Sequence, residues 1–309
     1  GGVECNYIAR WDGSSWQPLG GGMGGGNPPH STCVSALALY DGEVVAGGYF
    51  AIAGGVECNY IARWDGSSWQ PLGSGMDRRV RTLTSYNGEL IVGGFFITAG
   101  GVTCNRIARW DGSSWQPLGE GMNGAVHTLA VYNGELIAGG EFITAGGGTC
   151  SRIARWDGSA WHPLGEGVND CVFALTVYNG ELIAGGGFIT AGGATCSRIA
   201  RWDGSSWQPL DSGMDGEGFP RVGALTVYNG ELIAGGWFTT AGWQPSYYWA
   251  RWGTGLPLGD VDCDGDVDLA DLALLLASYG VDDGGDLDGD GDTDLQDLAI
   301  LLAHYGEGT

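Results

Sequence analysis

Twelve aspartates near the C-terminus carry the most specific chemistry in the chain. With Asp260 as loop position 1, carboxylates fall at positions 1, 3, 5, 7, 9 and 12: Asp260, Asp262, Asp264, Asp266, Asp268 and Asp271. Gly265 stands at position 6. The pattern returns 26 residues later as Asp286, Asp288, Asp290, Asp292, Asp294 and Asp297, with Gly291 at position 6. Hard carboxylate oxygens at this spacing wrap one hard cation, and the glycine permits the sharp turn between ligands. Two complete loops predict two bound Ca²⁺ ions. Position 7 ordinarily ligates through its backbone carbonyl, which leaves the Asp266 side chain free.

Each loop is followed by an apolar segment that must position it, "LADLALLLASYG" and "LQDLAILLAHYG". Leu272, Leu275, Leu276 and Tyr279 share one helical face, and Leu298, Leu301, Leu302 and Tyr305 share its twin. Gly280 and Gly306 are placed to end the helices as C′ residues. So small a pair cannot bury a large core, and its carboxylates repel without a cation, so ion binding is expected to supply folding energy. Residues 259–306 resemble a dockerin: loop, helix, linker, loop, helix, with Asp rather than Glu at position 12. That resemblance implies docking onto a cohesin-like domain. A dockerin's recognition pair follows position 9 and is often rich in Ser and Thr; here it reads Leu269–Ala270 and Leu295–Gln296. Cys263, at loop position 4 where Gly is common, is a further departure.

The acidic residues are unevenly placed. From residue 257 onward there are 14 Asp and Glu307 but no Arg, and the chain has no lysine at all. A boundary between two modules therefore falls near 256–259, giving 1–258 and 259–309. The net charge of −23 argues against nucleic acid, whose binders need a basic stripe, and against an anionic membrane surface. No apolar run reaches membrane-spanning length, so no membrane insertion is expected. No signal peptide remains and residue 1 is not Met, so the chain reads as a mature or trimmed product.

The first module is a repeat. "GGVECNYIARWDGSSWQPLG" occurs unchanged at 1–20 and 54–73, and "ARW" recurs at Arg10, Arg63, Arg109, Arg155, Arg201 and Arg251. Between these lie "YDGEVVAGG" and its relatives, beginning at Tyr40, Tyr86, Tyr132, Tyr178 and Tyr228. Within 126–164, "VHTLAVY" alternates, "NG" supplies a type I′ hairpin turn, and "ELIAGG" returns; "RIARW", "DGSA" and "WHPLG" form a second hairpin. Four short antiparallel strands per unit predict one propeller blade. Gly139–Gly140, Trp156–Asp157 and Trp161 give the unit a resemblance to kelch repeats, which implies a β-propeller over the whole first module and little about activity.

The expected fold is mainly β: five four-stranded blades at about 34–72, 80–118, 126–164, 172–210 and 222–258, a surplus N-terminal hairpin at 7–19, and a small α-helical calcium-binding domain. Either the C-terminal "YYWARWGTGLPLG", which keeps register but lacks the second Trp, or the N-terminal hairpin finishes the last blade. The reading favours the C-terminal copy. The hairpin left over could cap an edge, start a sixth blade or add to a neighbouring molecule by strand pairing.

Cys5, Cys58, Cys104, Cys150 and Cys196 share one repeat position, and Cys33 and Cys171 precede the first strand of a blade. Both positions fall on one face of a ring, so disulfides Cys5–Cys33 and Cys150–Cys171 are predicted, in keeping with an oxidising compartment. His30, His127, His162 and His304 occupy unrelated repeat positions, and no catalytic constellation is expected. The recurrent Glu89, Glu135, Glu181 and Glu231 read as hairpin residues. The Arg of each "ARW" reads as structural, paired with backbone or carboxylate between blades. The Trp residues read as blade packing, with glycan stacking a lesser reading.

These features point to a secreted, extracellular or cell-surface, non-catalytic assembly protein. Its partner through 259–306 is another copy of the chain or a cohesin-like domain. The alternatives are a calcium-stapled cap without a partner and a dockerin-tethered component that binds or degrades polysaccharide.

Overall fold

The computed structural model describes residues 3–26, 32–253, 261, 267–280, 287 and 293–306. The first strands are a lone hairpin, β1 (Ala9–Trp11) and β2 (Trp16–Pro18). Four four-stranded antiparallel sheets follow. Blade one is β3 (Cys33–Tyr40), β4 (Glu43–Tyr49), β5 (Ile61–Trp64) and β6 (Trp69–Pro71). Blade two is β7 (Val80–Tyr86), β8 (Glu89–Gly94), β9 (Ile107–Trp110) and β10 (Trp115–Pro117). Blade three is β11 (Val126–Tyr132), β12 (Glu135–Gly140), β13 (Ile153–Trp156) and β14 (Trp161–Pro163). Blade four is β15 (Val172–Tyr178), β16 (Glu181–Gly186), β17 (Ile199–Trp202) and β18 (Trp207–Pro209). Blade five has three strands among the described residues: β19 (Arg221–Tyr228), β20 (Glu231–Trp237) and β21 (Trp249–Trp252).

Local chemistry sets the register inside a blade. Asn133 and Gly134 both take positive φ, 50° and 78°, so the β11–β12 turn is the tight primed type and Tyr132 faces Glu135. The outer turn is closed by an aspartate. Asp157 accepts from the backbone N–H of Ser159 and Ala160 at 2.8 and 2.9 Å, and Trp156 faces Trp161. The backbone N–H groups of Ala160 and Ser159, helped by the Ser159 hydroxyl, hold this exposed carboxyl well below the usual range, and Asp65, Asp111 and Asp203 repeat the arrangement.

Two glycines set how closely the blades approach. A Cβ at Gly140 would run into the Ala125 carbonyl of the neighbouring strand, and one at Gly139 would meet the Val172 side chain of the next blade at 2.6 Å. Val126 and Val222 cover Gly93 and Gly185 in the same way, and Val80 with Leu83 covers Gly47. Innermost strands β3, β7, β11, β15 and β19 thus stack in succession.

The five blades form an open series. Among the described residues β19 and β3 make no packing of comparable extent. Leu37 on β3 is 55% exposed, whereas its repeat counterparts Leu83 and Leu129 are each 9% exposed. Among the described residues the blades do not close into a ring, and the fourth strand expected for the fifth blade falls in 254–258, outside the described residues. At the fifth outer turn Gly253 replaces the aspartate that closes the others, and no tryptophan follows Trp252. β21 pairs with β20, so the C-terminal copy supplies the third strand, as favoured. β1 pairs only with β2.

In the C-terminal region α1 spans Leu269–Ser278 and α2 spans Leu295–His304. Gly280 and Gly306 follow the helices with φ of 66° and 87°, as the sequence implied. Val267, Leu275 and Leu301 form a small buried cluster, with Leu272 and Leu298 packed against it.

Candidate functional site

Asp271 and Asp297 are fully buried carboxylates. Val261 N–H and Asp268 N–H donate to the two oxygens of Asp271 at 2.6 and 2.7 Å. Leu287 N–H and Asp294 N–H treat Asp297 identically, at 2.6 and 2.7 Å. Asp268 and Asp294 are the helix N-caps, accepting from Ala270 and Gln296 N–H at 2.6 Å each. Positions 9 and 12 of each loop therefore double as a capping box, an assignment the ligand spacing alone did not reveal.

The two halves are joined across a pseudo-two-fold relation. Gly280 N–H donates to Thr293 O at 2.9 Å, and Gly306 N–H donates to Val267 O at 2.8 Å. Each helix end is thereby tied to position 8 of the other loop. The remaining predicted ligands, Asp260, Asp262, Asp264, Asp266, Asp286, Asp288, Asp290 and Asp292, lie outside the described residues, as does Cys263. Among the described residues no three His, Cys, Asp or Glu come together as a metal-holding group. The four described aspartates are hard oxygen donors of the kind a hard cation takes.

In the repeat module the conserved-looking polar residues are consumed by the fold. Arg109 reaches Glu89 at 3.2 Å and Arg201 reaches Glu181 at 3.1 Å, with Arg155 on Glu135. These pairs lie within one blade, not between blades. The cross-strand register seats each Arg diagonally from the Glu on the adjacent strand.

Tryptophan does the work between blades. Trp115, Trp161 and Trp207 donate their indole N–H to Leu72, Leu118 and Leu164 carbonyls of the preceding blade at 3.0, 2.9 and 2.9 Å. Trp69 reaches Leu19 of the N-terminal hairpin at 3.0 Å in the same manner.

Comparison with known families agrees with this geometry. Residues 70–212 match the Rax2 C-terminal beta propeller domain, and residues 41–64 match a beta-propeller domain of unknown function, DUF5122. The repeat is a β-propeller blade. Neither match is a kelch family, so the kelch resemblance reduces to the general propeller type. Comparison with curated proteins finds no match. Among solved structures, the crystal structure of the WD40 beta propeller domain of Doa1 is similar at 16% identity and a TM-score of 0.44. The likeness covers 66% of this chain and 60% of that one, so this chain spans about 60% of that structure's length.

The propeller cysteines are corrected. All seven described cysteines are free thiols, so Cys5–Cys33 and Cys150–Cys171 are not bridged. Cys150 is buried in the blade core and turned toward Ala145 of its own blade. Cys171 interacts with Asp170, and burial together with that carboxylate pushes its thiol up to about 11. Cys5 Sγ lies 3.7 Å from Val3 O, and Cys33 Sγ lies 3.7 Å from Ser35 Oγ. Sharing a face of the repeat did not aim the sulfurs at one another.

His127 is the one histidine held inside the propeller among the described residues. Its Nε2 lies 2.8 Å from Glu141, its Nδ1 is buried without a partner, and the Phe95 and Phe173 rings lie 5.5 and 5.1 Å away. Burial pulls its pKa down, outweighing the Glu141 carboxylate, which acts the other way. A histidine with a depressed folded pKa contributes stability above its unfolded value of about 6.5 and loses it as pH falls toward the folded value. The melting temperature is expected to drop between pH 7 and 5 more in the native protein than in His127→Gln. Equal pH slopes in scanning calorimetry would refute this.

Beside blade five lies an open cavity of 170 Å³, lined by Leu210, Met214, Leu232, Gly242, Ala250 and Trp252 among others.

Proposed function

We propose that this chain is a secreted, non-catalytic assembly protein. In this reading residues 259–306 bind two Ca²⁺ ions and dock onto a protein partner, either a cohesin-like domain or another copy. The observation that carries the reading is the fully shielded carboxylate at position 12 of both loops, held by two backbone N–H groups each. A buried negative charge is costly unless a cation or strong donors balance it. The loops bring further carboxylates at ligand spacing in the sequence.

A docking face is supported by Leu269 and Leu295, 69% and 67% exposed at the start of each helix. They stand where the dockerin resemblance puts its recognition pair, and they favour an apolar partner surface.

The test is sedimentation of the purified chain in millimolar calcium and in EGTA, alone and with cohesin-like domains. Calcium-dependent complexes that Leu269→Lys with Leu295→Lys abolishes support the reading. A chain that neither self-associates nor binds in calcium overturns it. A glycan-binding reading is favoured by one observation: Trp237, Trp243, Tyr247 and Trp249 of blade five are all more than half exposed. Retention on insoluble polysaccharide, lost in Trp243→Ala, tests that alternative.

A further inference from the structure

The two ends of the blade series carry the two halves of one unmade junction. At each internal junction a valine of the innermost strand covers the first glycine of the preceding blade's Gly-Gly pair, as Val222 covers Gly185. Gly235 is the counterpart in blade five, and a Cβ there would meet only its own blade, at the Tyr248 carbonyl and Ala224. At the other end Leu37 and Leu39 of β3 are 55% and 71% exposed. Tyr228 is 68% exposed, while Tyr86 and Tyr132, at the same repeat position, are 8% and 7% exposed.

The outer hairpins tell the same story. Each internal blade from two to four buries a tryptophan pair against the exit turn of the blade before it. A Cβ at Gly73 would meet Trp110 and Trp115, and one at Gly165 would meet Trp202 and Trp207. Blade five has no second tryptophan, and the cavity between Leu210, Met214 and Gly242 stands where Trp207 stands one blade earlier. The β1–β2 hairpin has the opposite defect. It carries the full motif with Trp11 and Trp16 54% and 50% exposed, and among the described residues it has no inner strands. Among the described residues Arg10 pairs with no glutamate, whereas Arg251 reaches Glu231 only at 3.5 Å.

We propose that the β1–β2 hairpin of one copy completes blade five of a second copy, forming a head-to-tail series. The donated β1 takes the edge of β20 now held by β21, which has the same Ala-Arg-Trp sequence. Trp16 enters the cavity with its indole N–H on Leu210 O, and Leu37 of the donor covers Gly235 of the acceptor. A second copy is the occupant because the contact is the repeat's own internal junction. Within one chain the hairpin already holds the position ahead of blade one, through Trp69 on Leu19 and Met23 N–H on Asn6 O. Within the chain that position does not coincide with blade five, where β21 holds the edge of β20. A heterologous contact of this kind propagates unless its rotation closes.

The test separates this contact from the calcium region by working in EGTA. The full chain is expected to sediment heavier as its concentration rises, and Trp16→Ala is expected to remain monomeric. Ala241→Phe, which fills the cavity from inside, is expected to remain monomeric too; Gln244→Trp on the rim serves if that variant misfolds. Mixing Trp16→Ala with Ala241→Phe should give a one-to-one dimer and nothing larger, since one intact head meets one intact tail. A native chain that stays monomeric in EGTA overturns the proposal, whether Trp16 is quencher-accessible or shielded by closure within the chain. Assembly seen in calcium alone also overturns it while leaving the proposed function standing.

Discussion

Chelation of calcium from the intact protein is expected to remove the helical circular dichroism of the C-terminal region while the blades keep their β signal and near-ultraviolet tryptophan bands. The reason is the balance of terms in a small module. Helices of 10 residues each are marginal in water by themselves. The buried cluster of Val267, Leu275 and Leu301 is too small to hold them, since domains of this size need a metal or another staple. Asp271 and Asp297 are also carboxylates fully shielded from water. In the proposed reading calcium supplies the opposite charge, so its binding free energy becomes folding free energy. Isothermal calorimetry should count two ions. Asp271→Asn with Asp297→Asn should weaken the pair by roughly 2–5 kcal/mol, the cost of removing one partner from a buried charged contact. Helices that persist in EGTA, together with no heat on calcium addition, would refute the assignment.

Truncating an inter-blade tryptophan should be the most damaging single change in the propeller. Trp161 is 7% exposed, stacks obliquely on Trp156 at 5.4 Å, and donates to Leu118 O of the blade before it. Trp161→Ala leaves a cavity at the junction and an unpaired buried carbonyl, so a loss of about 3–5 kcal/mol is expected. Urea denaturation followed by intrinsic fluorescence measures it. Trp16→Ala removes the same residue of the same motif where it is half exposed, and should change monomer stability by no more than about 0.5 kcal/mol. Similar losses for the two variants would show that the hairpin is already packed in solution.

Much of this was legible from residue order because the forces involved are local. Alternation, the Asn-Gly turns and the Gly-Gly pairs specify two hairpins per unit, and five inner hairpins are present as read. The Asp-closed outer turn belongs to the same class, as do the helix stops at Gly280 and Gly306. Direction was harder. The repeat put cysteines on one face, but a thiol's aim depends on the packing around it, and Cys150 turns into its own core. Arg and Glu were known to recur, yet only strand register showed that they pair inside a blade.

Sequence by itself determined the blade as a unit and the tandem aspartate spacing, because turn geometry, side-chain alternation and ligand spacing act over a few residues. Only the tertiary structure decided that the five blades leave both ends open, that β21 rather than β1 holds the edge of β20, and that a cavity remains where the next tryptophan would lie. Those outcomes depend on how successive junctions accumulate in space and on which of two near-identical strands holds the edge of β20. No single repeat encodes either.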